Sequence, residues 1–184
     1  VQGLAAFAAQ EDILLIVDEV QTGNGRTGAL YAYQLYGIEP DVVTTAKGLA
    51  GGLPIGAALI GARAEHVLLS GDHGSTFGGN PVCAAGAISI LERIDGALLA
   101  GVRERSSYIV ETLSAAKGVR SVTGLGLMLG VETEKPAAAI VQACMERGVL
   151  VLTAKNKVRL LPALNIPLPL LSEAIAILKG VIEA

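Results

Sequence analysis

The sequence predicts an α/β fold in its first half, with buried parallel strands, followed by a smaller α+β unit. Three observations carry this. Residues 13–17 (Ile-Leu-Leu-Ile-Val) form an unbroken, β-rich apolar run that ends at Asp18 and Glu19. Such a run fits a strand covered on both faces, as in a parallel sheet. Residues 41–45 make a second short run of the same kind, ending in Ala46-Lys47-Gly48. After about residue 118 the composition changes, and short strand patterns alternate with helical ones.

The elements follow in order. Residues 2–10 are Ala-rich and helical in pattern. Strand 13–17 leads into a glycine-punctuated loop, 23–28, and residues 29–36 read as a short helix closed by Gly37. After strand 41–45, residues 56–60 suggest a third strand. Asn80-Pro81 is a strong helix start, with Asn as the cap and Pro in the first turn, and that helix is expected to run to about residue 94. Leu98, Val102, Ile109 and Leu113 then mark one face of another helix, stopped by Lys117-Gly118. Strands are expected at 119–123 and 127–132, and a helix at 136–147 capped by Gly148. A hairpin is expected from 149–152 and 158–161 around Ala154-Lys155-Asn156, and a final helix over 172–183 with Ile175, Leu178 and Ile182 inward. The boundary falls between a first domain, 1–97, and a second, 98–184.

Composition narrows the function. Hydrophobic residues make up 52% of the 184 residues and charged residues 17%, which excludes a disordered chain. A net charge of −3 gives no electrostatic footprint for nucleic acid or an anionic membrane. The longest uncharged stretch, 48–62, is too short to span a bilayer and is broken by glycines and Pro54. Two cysteines, Cys83 and Cys144, make neither a disulfide framework nor a metal cage; both read as buried small hydrophobes in a reducing compartment. Glycine stands at 23, against roughly 13 at the average usage of about 7%. The excess clusters between residues 23 and 86, where a backbone can approach a ligand closely.

Three groups of residues could carry chemistry. Asp18 sits at the carboxyl end of a strand, where ligands of parallel α/β sheets bind. A lone strand-end acid is more often solvated or capping. Lys47 also follows a buried strand, and an amine with little water around it becomes a nucleophile for a carbonyl carbon. The loop His73-Gly74-Ser75-Thr76-Phe77-Gly78-Gly79-Asn80-Pro81 runs into a helix N-terminus, a setting that suits an anion such as phosphate. It is not a P-loop, since no Gly-Lys-Ser/Thr follows. An acid, an amine and a phosphate-like loop together suggest pyridoxal 5'-phosphate, with the acid on the pyridine nitrogen and the lysine on the aldehyde carbon.

The segments Ile16-Val17-Asp18-Glu19-Val20-Gln21-Thr22-Gly23, Gly25-Arg26-Thr27-Gly28, Ala46-Lys47-Gly48 and Gly51-Gly52-Leu53-Pro54-Ile55-Gly56 closely resemble the class III aminotransferases. The 73–81 loop and Val158-Arg159-Leu160-Leu161-Pro162-Ala163-Leu164-Asn165-Ile166 resemble their acetylornithine branch. The resemblance covers nearly the whole chain. It implies the C-terminal part of the large domain of a fold type I pyridoxal-phosphate enzyme, followed by the small C-terminal domain. It also implies roles. Asp18 contacts the pyridine nitrogen, Val20 packs on the ring, and Gln21 hydrogen-bonds near the phenolic oxygen. Lys47 carries the cofactor. Thr76 binds the phosphate of the cofactor in the neighbouring subunit, and Ser75 lies near substrate. Arg159 binds a substrate carboxylate, for which a planar fork is suited. Glu19 partners a carboxylate-binding arginine. Arg26 braces its loop, and no metal is expected.

The family has an upstream half carrying a phosphate-cradling glycine segment, a ring-stacking aromatic and a substrate arginine, and none of these is in this chain. The implied reaction passes the terminal amino group of N-acetylornithine to 2-oxoglutarate, as in arginine biosynthesis, in a cytoplasmic homodimer with shared active sites. Ornithine, succinylornithine or 4-aminobutyrate are alternative donors. A reading of another class is that the 184 residues alone form a non-catalytic folded fragment or assembly module. On either reading, the isolated chain is expected to be inactive or nearly so.

Overall fold

Val42–Thr45 (β2) pairs in parallel with Ile16–Asp18 (β1), and Asp18 stands opposite Thr44. Ala57–Ile60 (β3) joins the other edge of β2 antiparallel, giving the order β1-β2-β3. The computed structural model describes all 184 residues, Val1–Ala184, and they divide into two compact units, Val1–Gly96 and Ala97–Ala184.

In the first unit, helix Gln2–Gln10 (α1) precedes β1, and helix Pro81–Leu91 (α2) ends the glycine-rich region. Asn80 caps α2, its Oδ1 accepting from the Val82 and Cys83 N–H groups. The helix stops at Leu91, three residues short of the expected end. The helix expected over 29–36 is reduced to a 3-10 turn, Ala32–Tyr36, closed by Gly37 at φ 60°. Its Tyr31 and Gln34 exchange cap hydrogen bonds that satisfy one tight turn only. Asp41 fixes the start of the β1–β2 pair by accepting from the Leu15 N–H, and Arg63 bridges Asp41 to Asp12.

The strands are not buried on both faces as the apolar runs predict. Ile13, Leu14 and Ile16 are exposed, and so is every residue of β3. Nothing in this chain covers those residues. The buried cluster of this unit is small: Leu49, Ala50 and Ala87, with Ile55 packed against it.

The second unit is a four-stranded antiparallel sheet. Its strands are Val119–Leu125 (β4), Met128–Thr133 (β5), Leu152–Ala154 (β6) and Lys157–Leu160 (β7), in the order β4-β5-β7-β6. Helices Gly96–Ser114 (α3, its first residue the last of the first unit), Ala137–Glu146 (α4) and Leu168–Glu183 (α5) accompany it. The heptad-like spacing of α3 works as predicted, since Val102, Ile109 and Leu113 are fully buried. They belong to one core of sixteen buried residues, with Val131, Ile140, Val158 and Leu178 among the others. The expected hairpin forms with a tighter turn, Lys155 taking φ 55°. Helix α5 starts four residues earlier than expected, because Pro169 falls in its first turn, where no amide donor is needed.

Candidate active site

Asp18 ends β1 and Lys47 follows β2, so both lie beyond the carboxyl ends of two adjacent parallel strands. The parallel register continues one residue further, the Glu19 N–H donating to the Thr44 carbonyl at 2.8 Å. The chain then turns sharply. Val20 N–H donates to Asp18 Oδ1 at 2.9 Å, which fixes the rotation of that carboxylate, and Gly23 N–H closes the turn onto the Glu19 carbonyl at 2.8 Å. Only glycine fits at 23. An added Cβ would lie 2.7 Å from the Glu19 carbonyl oxygen and 2.9 Å from the Tyr31 ring. Asp18 and Gln21 are exposed and Val20 is half-buried.

Lys47 opens a 3-10 turn, Lys47–Ala50, whose Leu49 and Ala50 are buried. Helix α2 lies against this turn, and Gly86 allows the approach: a Cβ there would stand 2.8 Å from Leu53 and 3.3 Å from the Ala50 carbonyl oxygen. Lys47 itself takes φ 51°, a left-handed conformation uncommon for a residue with a long side chain. It is also exposed, so the dry surroundings expected for its amine are not provided by this chain.

Glu19 is 1% exposed, and its carboxylate oxygens are taken by Thr22 Oγ1 and by the Tyr33 N–H at 2.8 Å. Within this chain it braces the loop after β1. One further expectation is corrected: the N-terminus of α2 is not an open anion site, because Asn80 already occupies two of its amide donors. Ser75 and Thr76 lie in the exposed loop just before that cap.

Sequence reasoning passed over Asn24 and Thr45. Asn24 is 7% exposed, and its Nδ2 donates to Thr45 Oγ1 at 3.1 Å and to the Ala46 carbonyl at 3.0 Å. The Tyr31 hydroxyl also bonds Thr45, and burial pushes that hydroxyl up from its ordinary pKa against the opposing effect of the bond. An amide side chain among glycines, directly after a strand-end turn, was the available signal. Burial holds Arg26 below the usual guanidinium range.

Arg159 belongs to the second unit. It sits on β7, opposite Gly130 and Leu152, and lines a cavity of about 570 Å³ with Arg147, Val149, Leu161 and Leu170. Cys83 and Cys144 are both buried free thiols, one in each unit. No group of His, Cys, Asp and Glu is arranged to hold a metal, and no helix is long and apolar enough to cross a membrane.

The family model described as aminotransferase class III matches residues 1–182. The chain belongs to the class III aminotransferases. It is 47% identical over its whole length to an acetylornithine aminotransferase of Haemophilus ducreyi, and 44% identical to one of Streptococcus mutans. It covers 46% and 50% of those two proteins, so this class III chain spans about half the length of such relatives. Among solved structures, an N-acetylornithine aminotransferase from Stenotrophomonas maltophilia superposes with a TM-score of 0.89 at 33% identity. An ornithine δ-aminotransferase from Plasmodium falciparum superposes with 0.88 at 34%. Each pairing covers 98% of this chain and 50% of the other.

Proposed function

We propose that this chain supplies the lysine-bearing part of a pyridoxal-phosphate-dependent aminotransferase. The activity we assign moves the terminal amino group of N-acetylornithine to 2-oxoglutarate, as a step of arginine biosynthesis in the cytoplasm. The observation that carries the reading is the pairing of Asp18 with Thr44 in parallel register, which brings an acid and the Lys47 turn to the same end of neighbouring strands. The names of the relatives support acetylornithine as donor, ahead of ornithine, succinylornithine or 4-aminobutyrate.

The donor set suits the cofactor's ring. Asp18, its rotation held by the Val20 N–H, offers a carboxylate to a pyridine N–H, and Lys47 offers an amine to an aldehyde. When bound, pyridoxal phosphate supplies an electron sink for the carbanion at the amine-bearing carbon. Lys47, which would hold the group through its aldehyde carbon, would once released be the base that moves the proton off the substrate's amine-bearing carbon. Val20 and Gln21 lie on the turn beside Asp18, suited to the ring face and its phenolic oxygen. Thr76 and Ser75 stand in an exposed loop, as fits residues that serve the cofactor phosphate and substrate across the interface of a homodimer. Arg159 holds a substrate carboxylate. The first domain, 1–97, belongs to the cofactor-binding large domain and the second, 98–184, is the small domain.

A second reading has its own observation. The exposed faces of β1 and β3 favour an isolated chain that folds without turning over substrate. One titration separates the two. Pyridoxal phosphate added to the purified chain gives the visible absorbance of a lysine-bound cofactor, and Lys47→Ala abolishes it. An intact, folded chain with no such band leaves only the non-catalytic reading.

A further inference from the structure

The left-handed backbone of Lys47 needs an explanation from its surroundings. A lysine gains nothing intrinsic from φ 51°, where its Cβ crowds the following carbonyl, and such conformations persist only where neighbouring groups enforce them. Two sets of contacts act on the turn. From one side, Leu49 and Ala50 are pinned under α2 at Ala87. From the other, the Asn24 amide reaches across from the loop after β1 and holds the Ala46 carbonyl at 3.0 Å. That carbonyl belongs to the peptide plane whose N–H is Lys47's own, so anchoring its oxygen fixes the rotation of the plane and with it the φ of Lys47. The same oxygen accepts the Leu49 N–H at 3.1 Å, which closes the 3-10 turn.

Asn24 is held in its turn. Its second Nδ2 proton goes to Thr45 Oγ1, the Thr45 hydroxyl lies 3.4 Å from Asn24 Oδ1, and Thr45 is 2% exposed. Asn24 itself takes φ 55°, a conformation asparagine tolerates better than most residues. It stands six residues beyond Asp18 in one tightly turned loop. The acid-bearing turn and the amine-bearing turn are therefore tied together by one side chain.

We propose that Asn24 is the positioning residue for Lys47: its amide clamps the Ala46 carbonyl and sets the direction in which the lysine side chain leaves the backbone. This rests on Lys47 being the cofactor lysine. Asn24 touches neither cofactor nor substrate and acts through the backbone alone.

Asn24→Gly tests this, because glycine keeps the left-handed freedom and removes only the amide. Two readouts are taken on the 184-residue chain. The first is amide exchange at Leu49, which needs no cofactor. The second is the rate at which pyridoxal phosphate becomes fixed to Lys47 under borohydride, read by peptide mass. Binding of pyridoxine 5'-phosphate, which has no aldehyde, is measured alongside. The expected result is at least tenfold faster exchange at Leu49 and at least tenfold slower fixation at Lys47, with pyridoxine phosphate binding and the Gly25 and Gly28 amides unchanged. A loss confined to the covalent step is one that a merely structural role would not produce. Exchange and fixation within twofold of the parent overturn the proposal, and so does an equal loss in pyridoxine phosphate binding. If the parent chain is never fixed at Lys47, the functional reading fails, and Leu49 exchange alone decides the clamp. Asn24→Ser, one atom too short to reach Ala46, serves if the glycine variant does not fold.

Discussion

Gly23→Ala is the sharpest probe of the turn that carries Asp18. Its new Cβ would meet the Glu19 carbonyl oxygen at 2.7 Å and Tyr31 Cδ1 at 2.9 Å. Neither neighbour gives way readily. The carbonyl already accepts the Gly23 N–H at 2.8 Å, and the Tyr31 ring is buried and stacked on Tyr33 with centroids 5.9 Å apart. Overpacking of this kind costs about 1–3 kcal/mol. Loss of the turn's hydrogen bond adds about 1 kcal/mol. A stiffer unfolded chain returns about 0.4–1 kcal/mol. The net is about 1–3.6 kcal/mol, or roughly 5- to 400-fold in an opening equilibrium at a tenfold change per 1.4 kcal/mol. Amide exchange of the Gly23 and Tyr33 N–H groups reads this directly. The Ile109 and Leu113 amides of the second unit serve as an unchanged internal reference. Gly74→Ala is the control, because its Cβ would meet nothing within 4 Å. If the two variants exchange alike, the close approach at Gly23 is not what shapes the turn.

Three further outcomes follow from the packing. Leu113→Ala removes a fully buried side chain from the core of the second unit and lowers that unit's urea stability by about 2–5 kcal/mol; a loss below 1 kcal/mol would mean the core is loosely packed. Asn80→Ala strips two amide acceptor contacts from the start of α2 and costs about 1 kcal/mol, seen as faster exchange at Val82 and Cys83 with the middle of the helix unaffected. Burial pushes the Cys144 thiol up, so the fold favours its neutral form. That contribution is fully present below the unfolded thiol pKa of about 8.5 and is lost as pH rises through the folded value. The urea midpoint of the second unit therefore falls as pH is raised from about 8.5 through the folded value, and Cys144→Ala flattens the slope; an equally steep fall in the variant would assign it to other groups.

Much of the architecture was legible because local chemistry alone dictates it. The apolar runs at 13–17 and 41–45 marked strands, Asn80-Pro81 marked the start of α2, and the spacing from Val102 to Leu113 marked the buried face of α3. The motifs around Asp18, Lys47 and Arg159 were likewise legible and led to the family. The residues that hold the site in shape were not. Glu19 read as a partner for a carboxylate-binding arginine, and two donors that converge only in the folded loop engage it. The α2 N-terminus looked open to an anion, yet its own cap closes it.

By itself, then, the sequence determined the order of elements, the periodicity of the core and the presence of an acid and an amine at strand ends. Those depend on neighbours along the chain. Only the tertiary structure decided that β3 runs antiparallel, that the faces of β1 and β3 stay uncovered, and that Asn24 reaches the Ala46 carbonyl across 22 positions of sequence. Those depend on groups brought together through space, and no local pattern encodes which side chain arrives at a given carbonyl.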